Sequence, residues 1–204
     1  VDPSDPAVVY CGTGEANAAG DTFAGIGLFR STDAGTSWSS AGLERSRHIN
    51  RIAIDPADPA RLYAAVMGGL FSTGPDRGLY RSTDGGASWE RRLFLSDSTG
   101  AIDVVVDPAD PRRVYAAMWE RLRSPKHRRG GGITSGVWRS TDGGETWGRL
   151  AGGLPGPAPN VGRIGLALCA AQPQTLYAIY ADDIGWFSGL YKSVNGGDAW
   201  TRVN

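Results

Sequence analysis

Ser31-Thr32-Asp33-Ala34-Gly35-Thr36-Ser37-Trp38 decides the fold, because it returns as Ser82 to Trp89, Ser140 to Trp147 and Ser193 to Trp200. Each copy reads Ser-x-Asp/Asn-x-Gly-x-x-Trp, and Asp33, Asp84, Asp142 and Asn195 stand 51, 58 and 53 residues apart. A second motif precedes each copy at a matching distance: Asp2 to Pro6 with Tyr10, Asp55 to Pro59 with Tyr63, and Asp107 to Pro111 with Tyr115. Its fourth copy is degenerate, Cys169-Ala170-Ala171-Gln172-Pro173 followed by Tyr177. Two linked motifs in four copies mark a repeat architecture.

Each repeat reads as four short strands. Arg51 to Ile54, Ile102 to Val106 and Arg163 to Leu168 form a first strand. The Asp-Pro-x-Asp-Pro turn follows, with proline presetting φ and the aspartate oxygens capping nearby N–H groups. Arg61 to Val66, Arg113 to Met118 and Thr175 to Tyr180 are rich in β-branched and aromatic residues and form the second strand. A Gly-Leu/Val-aromatic-Arg/Lys-Ser strand such as Gly78 to Ser82 then enters the eight-residue hairpin, which leads to the fourth. These features predict an all-β propeller of four-stranded antiparallel blades. The repeats fall near 1–50, 51–100, 101–160 and 161–204, with the first lacking its opening strand, so about fifteen strands are expected. Four blades suit a portion of a larger propeller, whose edges would meet further blades or a partner chain.

The eight-residue motif resembles the Asp-box, or BNR repeat. Its chemistry is structural: Asp33, Asp84, Asp142 and Asn195 accept N–H bonds across the turn, glycine supplies positive φ, and Trp38, Trp89, Trp147 and Trp200 fill the gap between hairpins. One carboxylate per copy does not make a calcium loop. Gly12-Thr13-Gly14-Glu15-Ala16-Asn17, Thr99-Gly100-Ala101-Ile102-Asp103 and Gly162-Arg163-Ile164-Gly165-Leu166 are similar to bacterial sortilin-like, glycosyl-hydrolase-like repeat proteins. That resemblance implies a large exported protein, extracellular or periplasmic, with a glycosyl-hydrolase label that rests on the repeat itself.

Composition narrows the function. Lys plus Arg and Asp plus Glu are 21 each, which argues against a general nucleic-acid binder or a protein held on anionic lipid by bulk charge. No apolar run approaches the length of a membrane-spanning helix. Two histidines, His48 and His127, are too few for a histidine-based metal site, and no cofactor or metal is predicted. Cys11 and Cys169 read as buried free thiols, with one disulfide as the alternative.

In a propeller, the loops joining second to third strands and successive blades share the ligand-binding face, opposite the Asp-boxes. Arg51, Asp103 and Arg163 share strand positions that place them towards the channel mouth, either for anion recognition by arginine forks or as a structural salt-bridge ring. Glu15, Asp103, Glu120, Asp182 and Asp183 are the loop carboxylates from which a glycosidase pair could come, with solvated loop carboxylates as the plainer reading. The basic stretch Trp119 to Arg129, with Trp119, Glu120 and Arg121 as candidates, suits a solvated loop packing on its neighbour or contacting a partner, ahead of nucleic-acid binding. Trp186 beside Asp182 suits a sugar platform, or an interblade seal with Phe187. Arg51-Ile52-Ala53 and Arg163-Ile164-Gly165 lack the proline of a sialidase entry motif, and a third matching arginine is missing. With no legible catalytic set, the expected function is a non-catalytic binding or scaffold propeller contacting a protein or glycan. The alternative is a glycoside hydrolase acting on polysaccharide through loop carboxylates.

Overall fold

The computed structural model describes residues 1–15, 22–124 and 128–204, and within these it is all β. The first sheet holds β1 (Val9–Gly12), β2 (Leu28–Ser31) and β3 (Ser39–Ser40). The second holds β4 (Ile49–Ile54), β5 (Leu62–Val66), β6 (Gly78–Ser82) and β7 (Glu90–Leu93) in simple antiparallel order. The third runs through β8 (Thr99–Val106) and β9 (Val114–Glu120). A two-stranded ribbon, β10 (Leu122–Arg123) and β11 (Arg128–Arg129), interrupts it before β12 (Gly136–Ser140) and β13 (Gly148–Arg149). The fourth is β14 (Val161–Leu168), β15 (Leu176–Asp182), β16 (Phe187–Ser193) and β17 (Thr201–Arg202). The first sheet thus has three strands and the others four.

The core lies between blades. One layer joins Leu28 of the first blade to Ile49, Ala64 and Val66 of the second. Tyr63 and Ala65, on the opposite face of β5, pack with Val104, Ala116 and Met118 of the third. Tyr115 and Ala117 then meet Ile164, Ala178 and Tyr180 of the fourth. Burial on both faces explains why β5 and β9 are buried at every residue and lose the two-residue alternation of a half-buried strand. The alanine pairs Ala64-Ala65 and Ala116-Ala117 leave room for the neighbouring sheets.

Both repeated motifs act as the sequence predicts. Asp55 Oδ1 accepts the amides of Ala57 and Asp58 at 2.8 and 3.3 Å, and Asp2 and Asp107 do the same in their own turns. In the degenerate copy Cys169 takes the aspartate's place: its amide keeps the bond to Thr175 O, and its carbonyl accepts the Gln172 amide where the other copies use the Asp carboxylate. In the Asp-box, Asp84 Oδ1 accepts Ser82 Oγ and Ser88 N–H, while Ser82 Oγ accepts the Gly86 amide at 2.9 Å. Asn195 preserves the two Oδ1 bonds, from Ser193 Oγ and Ala199 N–H. The tryptophans are not all alike. Trp38, Trp147 and Trp200 donate to the glycine of their own box, whereas Trp89 donates to Ala41 O in the preceding connection. Both cysteines are free, but Cys11 is exposed and Cys169 half-buried, which corrects the expectation of buried thiols.

A recurring clasp joins successive blades. Tyr10, Tyr63 and Tyr115 donate their hydroxyls, at 2.9–3.0 Å, to the carbonyls of Gly85, Gly143 and Gly196 in the next blade's Asp-box. Arg81 and Arg139 reach the same Gly143 and Gly196 carbonyls and pair with Glu145 and Asp198.

Candidate functional site

Because the strands alternate in direction, the Asp-Pro turns and Asp-boxes lie at one end of the blades, and the long loops lie at the other. β1, β4, β8 and β14 border a trough of about 760 Å³, whose wall includes Tyr10, Asn50, Arg51, Ile52, Val105 and Leu168. Each of β4, β8 and β14 carries a β-bulge near its loop end, which re-aims the local side chains.

Arg51 does not stand free at the channel mouth. Its Nε lies 3.6 Å from Asp103 Oδ1, across the second and third blades, and Asp103 Oδ2 accepts the Leu166 amide of the fourth at 2.9 Å. The reason is geometric: an inner strand packs against blades on both of its faces, so only its edge looks into the channel. Ile52 faces the layer with the first blade, and Ala53 the layer with the third. Arg163 is half-buried in the bulge of β14, where desolvation lowers its pKa and the Asp103 charge opposes that shift.

Several candidates prove to be committed to the fold. Glu120 is buried, with Oε1 accepting Arg129 at 3.0 Å and Oε2 accepting Thr134 Oγ1 at 2.8 Å. It is no solvated loop carboxylate, because residues 129–135 fold over it. Gly132 lies so near that an added Cβ would sit 2.0 Å from Glu120 Oε2. Trp119 is buried, donates to Gly130 O at 2.6 Å and carries the Arg121 guanidinium 4.6 Å from its ring centroid. Arg121 is buried as well, so neither offers an accessible contact. Lys126 and His127 of the basic stretch lie outside the described residues. Asp182 Oδ1 accepts the amides of Ile184, Gly185 and Trp186 at 2.8–3.1 Å and so shapes a turn. That turn displays Trp186 with 71% of its surface exposed. Asp183 is also exposed. Glu15 is half-buried, and its carboxylate makes no hydrogen bond among the described residues.

Two residues that organise this end carry no motif. Arg77 is fully buried and donates to the carbonyls of Gly69, Ser72, Ser98 and Arg121, tying three loops together. Burial lowers its pKa to about 10. His48 is buried too: Nδ1–H donates to Gly68 O at 2.9 Å, and Nε2 faces Thr22 Oγ1. Desolvation pushes its pKa down, opposed by the Gly68 bond and the nearby Glu15 charge. Between the first two blades a cleft of about 380 Å³ is bordered by Arg45, Arg47, Thr73, Asp76 and Arg77. Arg47 holds φ at 59°, a left-handed conformation costly for a non-glycine residue. The only sequence signal for these residues is their place in long loops.

The family described as Sortilin, neurotensin receptor 3 (Sortilin-Vps10) matches residues 27–154, well over half of the chain. This chain belongs to the sortilin–Vps10 family. The sortilin–Vps10 match spans three of the Asp-boxes. Among curated relatives, the xyloglucanase Xgh74A of Acetivibrio thermocellus is 28% identical over 229 residues, covering 98% of this chain and 24% of the relative. A xyloglucanase of a Paenibacillus species is 27% identical, covering 100% of this chain and 20% of the relative. The chain therefore spans about a quarter of the length of the curated relatives it matches. Solved structures with the same fold include an ancestral GH74 enzyme, with TM-score 0.71 and 20% identity over 100% of this chain and 23% of that one. A GH74 xyloglucanase from Xanthomonas campestris has TM-score 0.68 and 22% identity over 100% of this chain and 29% of that one. The expectation of a non-catalytic scaffold is corrected by these matches, because the curated relatives aligned with nearly the whole sortilin–Vps10 chain are xyloglucanases.

Proposed function

We propose that this chain serves a glycoside hydrolase acting on a xyloglucan-type polysaccharide outside the cell. The observation that carries the reading is the match to two xyloglucanases over 98% and 100% of the chain. Cleavage of a glycosidic bond requires one carboxylic acid to protonate the leaving oxygen and a second carboxylate on the opposite side. Asp103, Glu120 and Asp182 are engaged in holding blades and loops, which removes them from that role. Glu15 and Asp183 remain uncommitted at the loop end, and Glu15, close enough to His48 for its charge to act on the imidazole, is the best candidate for one of the pair. Trp186, exposed on the fourth blade at the same loop end of the fold, suits stacking against a sugar ring.

The test is reducing-end release from xyloglucan by the full product of the gene. The reading expects turnover that falls roughly 10²–10⁴-fold in Glu15→Gln, the usual range for loss of an acid–base group. No release from xyloglucan or any other β-glucan would overturn the activity. Full activity in Glu15→Gln would overturn the assignment of Glu15.

A further inference from the structure

Arg77 is not a residue that a blade of this kind requires. It stands just before the glycine that opens the third strand, where the other blades carry Ile26, Ser135 and Ser188. It is fully buried, and the partners it donates to are backbone carbonyls, which carry no net charge. Its Nε has no partner among the described residues. A buried ion of this kind lacks the counter-charge that offsets desolvation.

Arg77 borders the cleft of about 380 Å³ between the first two blades. Both walls come from loops of adjoining blades, residues 25–26 and 44–47 on one side and 68–77 on the other. The carboxylates along it are already engaged: Asp76 lies 3.3 Å from Arg45 Nε, and Glu44 accepts Ser40 Oγ at 3.2 Å. Arg47 is exposed, and its side chain makes no hydrogen bond or ion pair among the described residues. Its backbone, by contrast, is fixed. The Arg47 carbonyl accepts the Gly25 amide at 2.6 Å while φ stands at 59°. The fold thus maintains a strained residue whose guanidinium is free at the edge of a cleft. Ile26, 66% exposed, adds an apolar surface to the same wall.

We propose that this cleft is a subsite for the carboxylate of an acidic sugar, a uronic acid unit, with Arg47 as its direct partner and Arg77 as the buried charge behind it. The proposal deepens the glycoside hydrolase reading and rests on it for the sugar; the charge rests on the two arginines. A guanidinium fork matches the two oxygens of a carboxylate, and Ile26 suits the C–H face of a pyranose ring. The volume lies in the range of small-molecule clefts. Glu15 is near, since its charge and those of Arg47 and Arg77 all act on His48. A simple inorganic anion is the competing occupant.

The experiment titrates the full product of the gene calorimetrically at low salt with glucuronate, galacturonate, glucose and sulfate. One of the uronates is expected to bind roughly tenfold or more tighter than glucose and than sulfate, and to weaken as salt rises. Arg47→Gln should abolish that preference while leaving the thermal melt unchanged. Phenylglyoxal modification of Arg47, read by peptide mass spectrometry, should slow when the uronate is bound. Equal binding of uronate and glucose would overturn the proposal, as would sulfate binding as tightly as either uronate, the mark of an inorganic-anion site. So would a preference that survives Arg47→Gln, or uronate binding that leaves Arg47 unprotected. Xyloglucan hydrolysis by the same preparation separates the two readings. Hydrolysis without uronate binding overturns this proposal alone, and uronate binding without hydrolysis upholds it and overturns only the activity.

Discussion

At the scale of single residues, the Asp-box is a hydrogen-bonding device whose strength depends on ionisation. Bonds from Ser37 hold the Asp33 pKa down to about 2, and bonds from Ser88 do the same for Asp84. Asp142 is shifted in the same direction by Thr146. A carboxylate depressed in the folded state contributes stability that is complete above its unfolded pKa, about 4, and is lost as pH falls through the folded value. Thermal melts from pH 6 down to pH 2 should therefore decline over about pH 4 to 2, less steeply in Asp84→Asn, for which Asn195 is the natural precedent. His48 acts in the opposite pH range. Its lowered pKa means the unfolded chain takes up the proton first, so stability should fall as pH drops below about 6.5, and His48→Gln should flatten that part of the curve. Ala34 offers a third residue-scale test. It holds φ at 58°, where the other boxes place Gly85, Gly143 and Gly196 at 68–74°. Ala34→Gly relieves the left-handed strain but loosens the unfolded chain, so a net gain of about 0.5–1 kcal/mol by denaturant titration is expected.

At the scale of the element, loops rather than strands distinguish the blades. Arg77 is the clearest case, because one guanidinium satisfies carbonyls from three loops. Arg77→Met would leave those buried acceptors without donors, and urea titration should show a loss of roughly 3 kcal/mol or more. Glu120→Gln should cost less, roughly 1–2 kcal/mol, because Thr134 can still donate to the amide oxygen while the Arg129 pairing is weakened. The sequence reading placed Glu120 and Trp119 in a solvated, ligand-facing loop. Loop position alone does not reveal that Ser135, Thr134 and Gly130 fold back over them. Arg77 was not singled out and His48 was weighed only as a metal ligand, for the same reason: a buried polar side chain is identified by the carbonyls around it, which come from other segments.

For the whole molecule, packing layers between blades replace a single central core, so stability should vary along the row. The third blade has a packed layer on each side, whereas the first has three strands and a layer on one side only. Native-state amide exchange should accordingly be slowest in β8 and β9 and fastest in β1 to β3. Equal protection across the four sheets would contradict this picture of nearest-neighbour coupling.

The local architecture was legible in the sequence: the Asp-box, the Asp-Pro turn, the strand order and the blade repeat. All of these arise from residues within about ten positions of one another, where proline φ, glycine freedom and short side-chain caps act directly. Tertiary structure alone decided which face of each inner strand was free. The sequence placed Arg51, Asp103 and Arg163 together on a shared strand face, and only the packing of successive blades turned that face towards a neighbour and joined Arg51 to Asp103. It likewise buried Glu120. Alternation along a strand distinguishes two faces, but what covers each one is set by sheets fifty or more residues away in the chain.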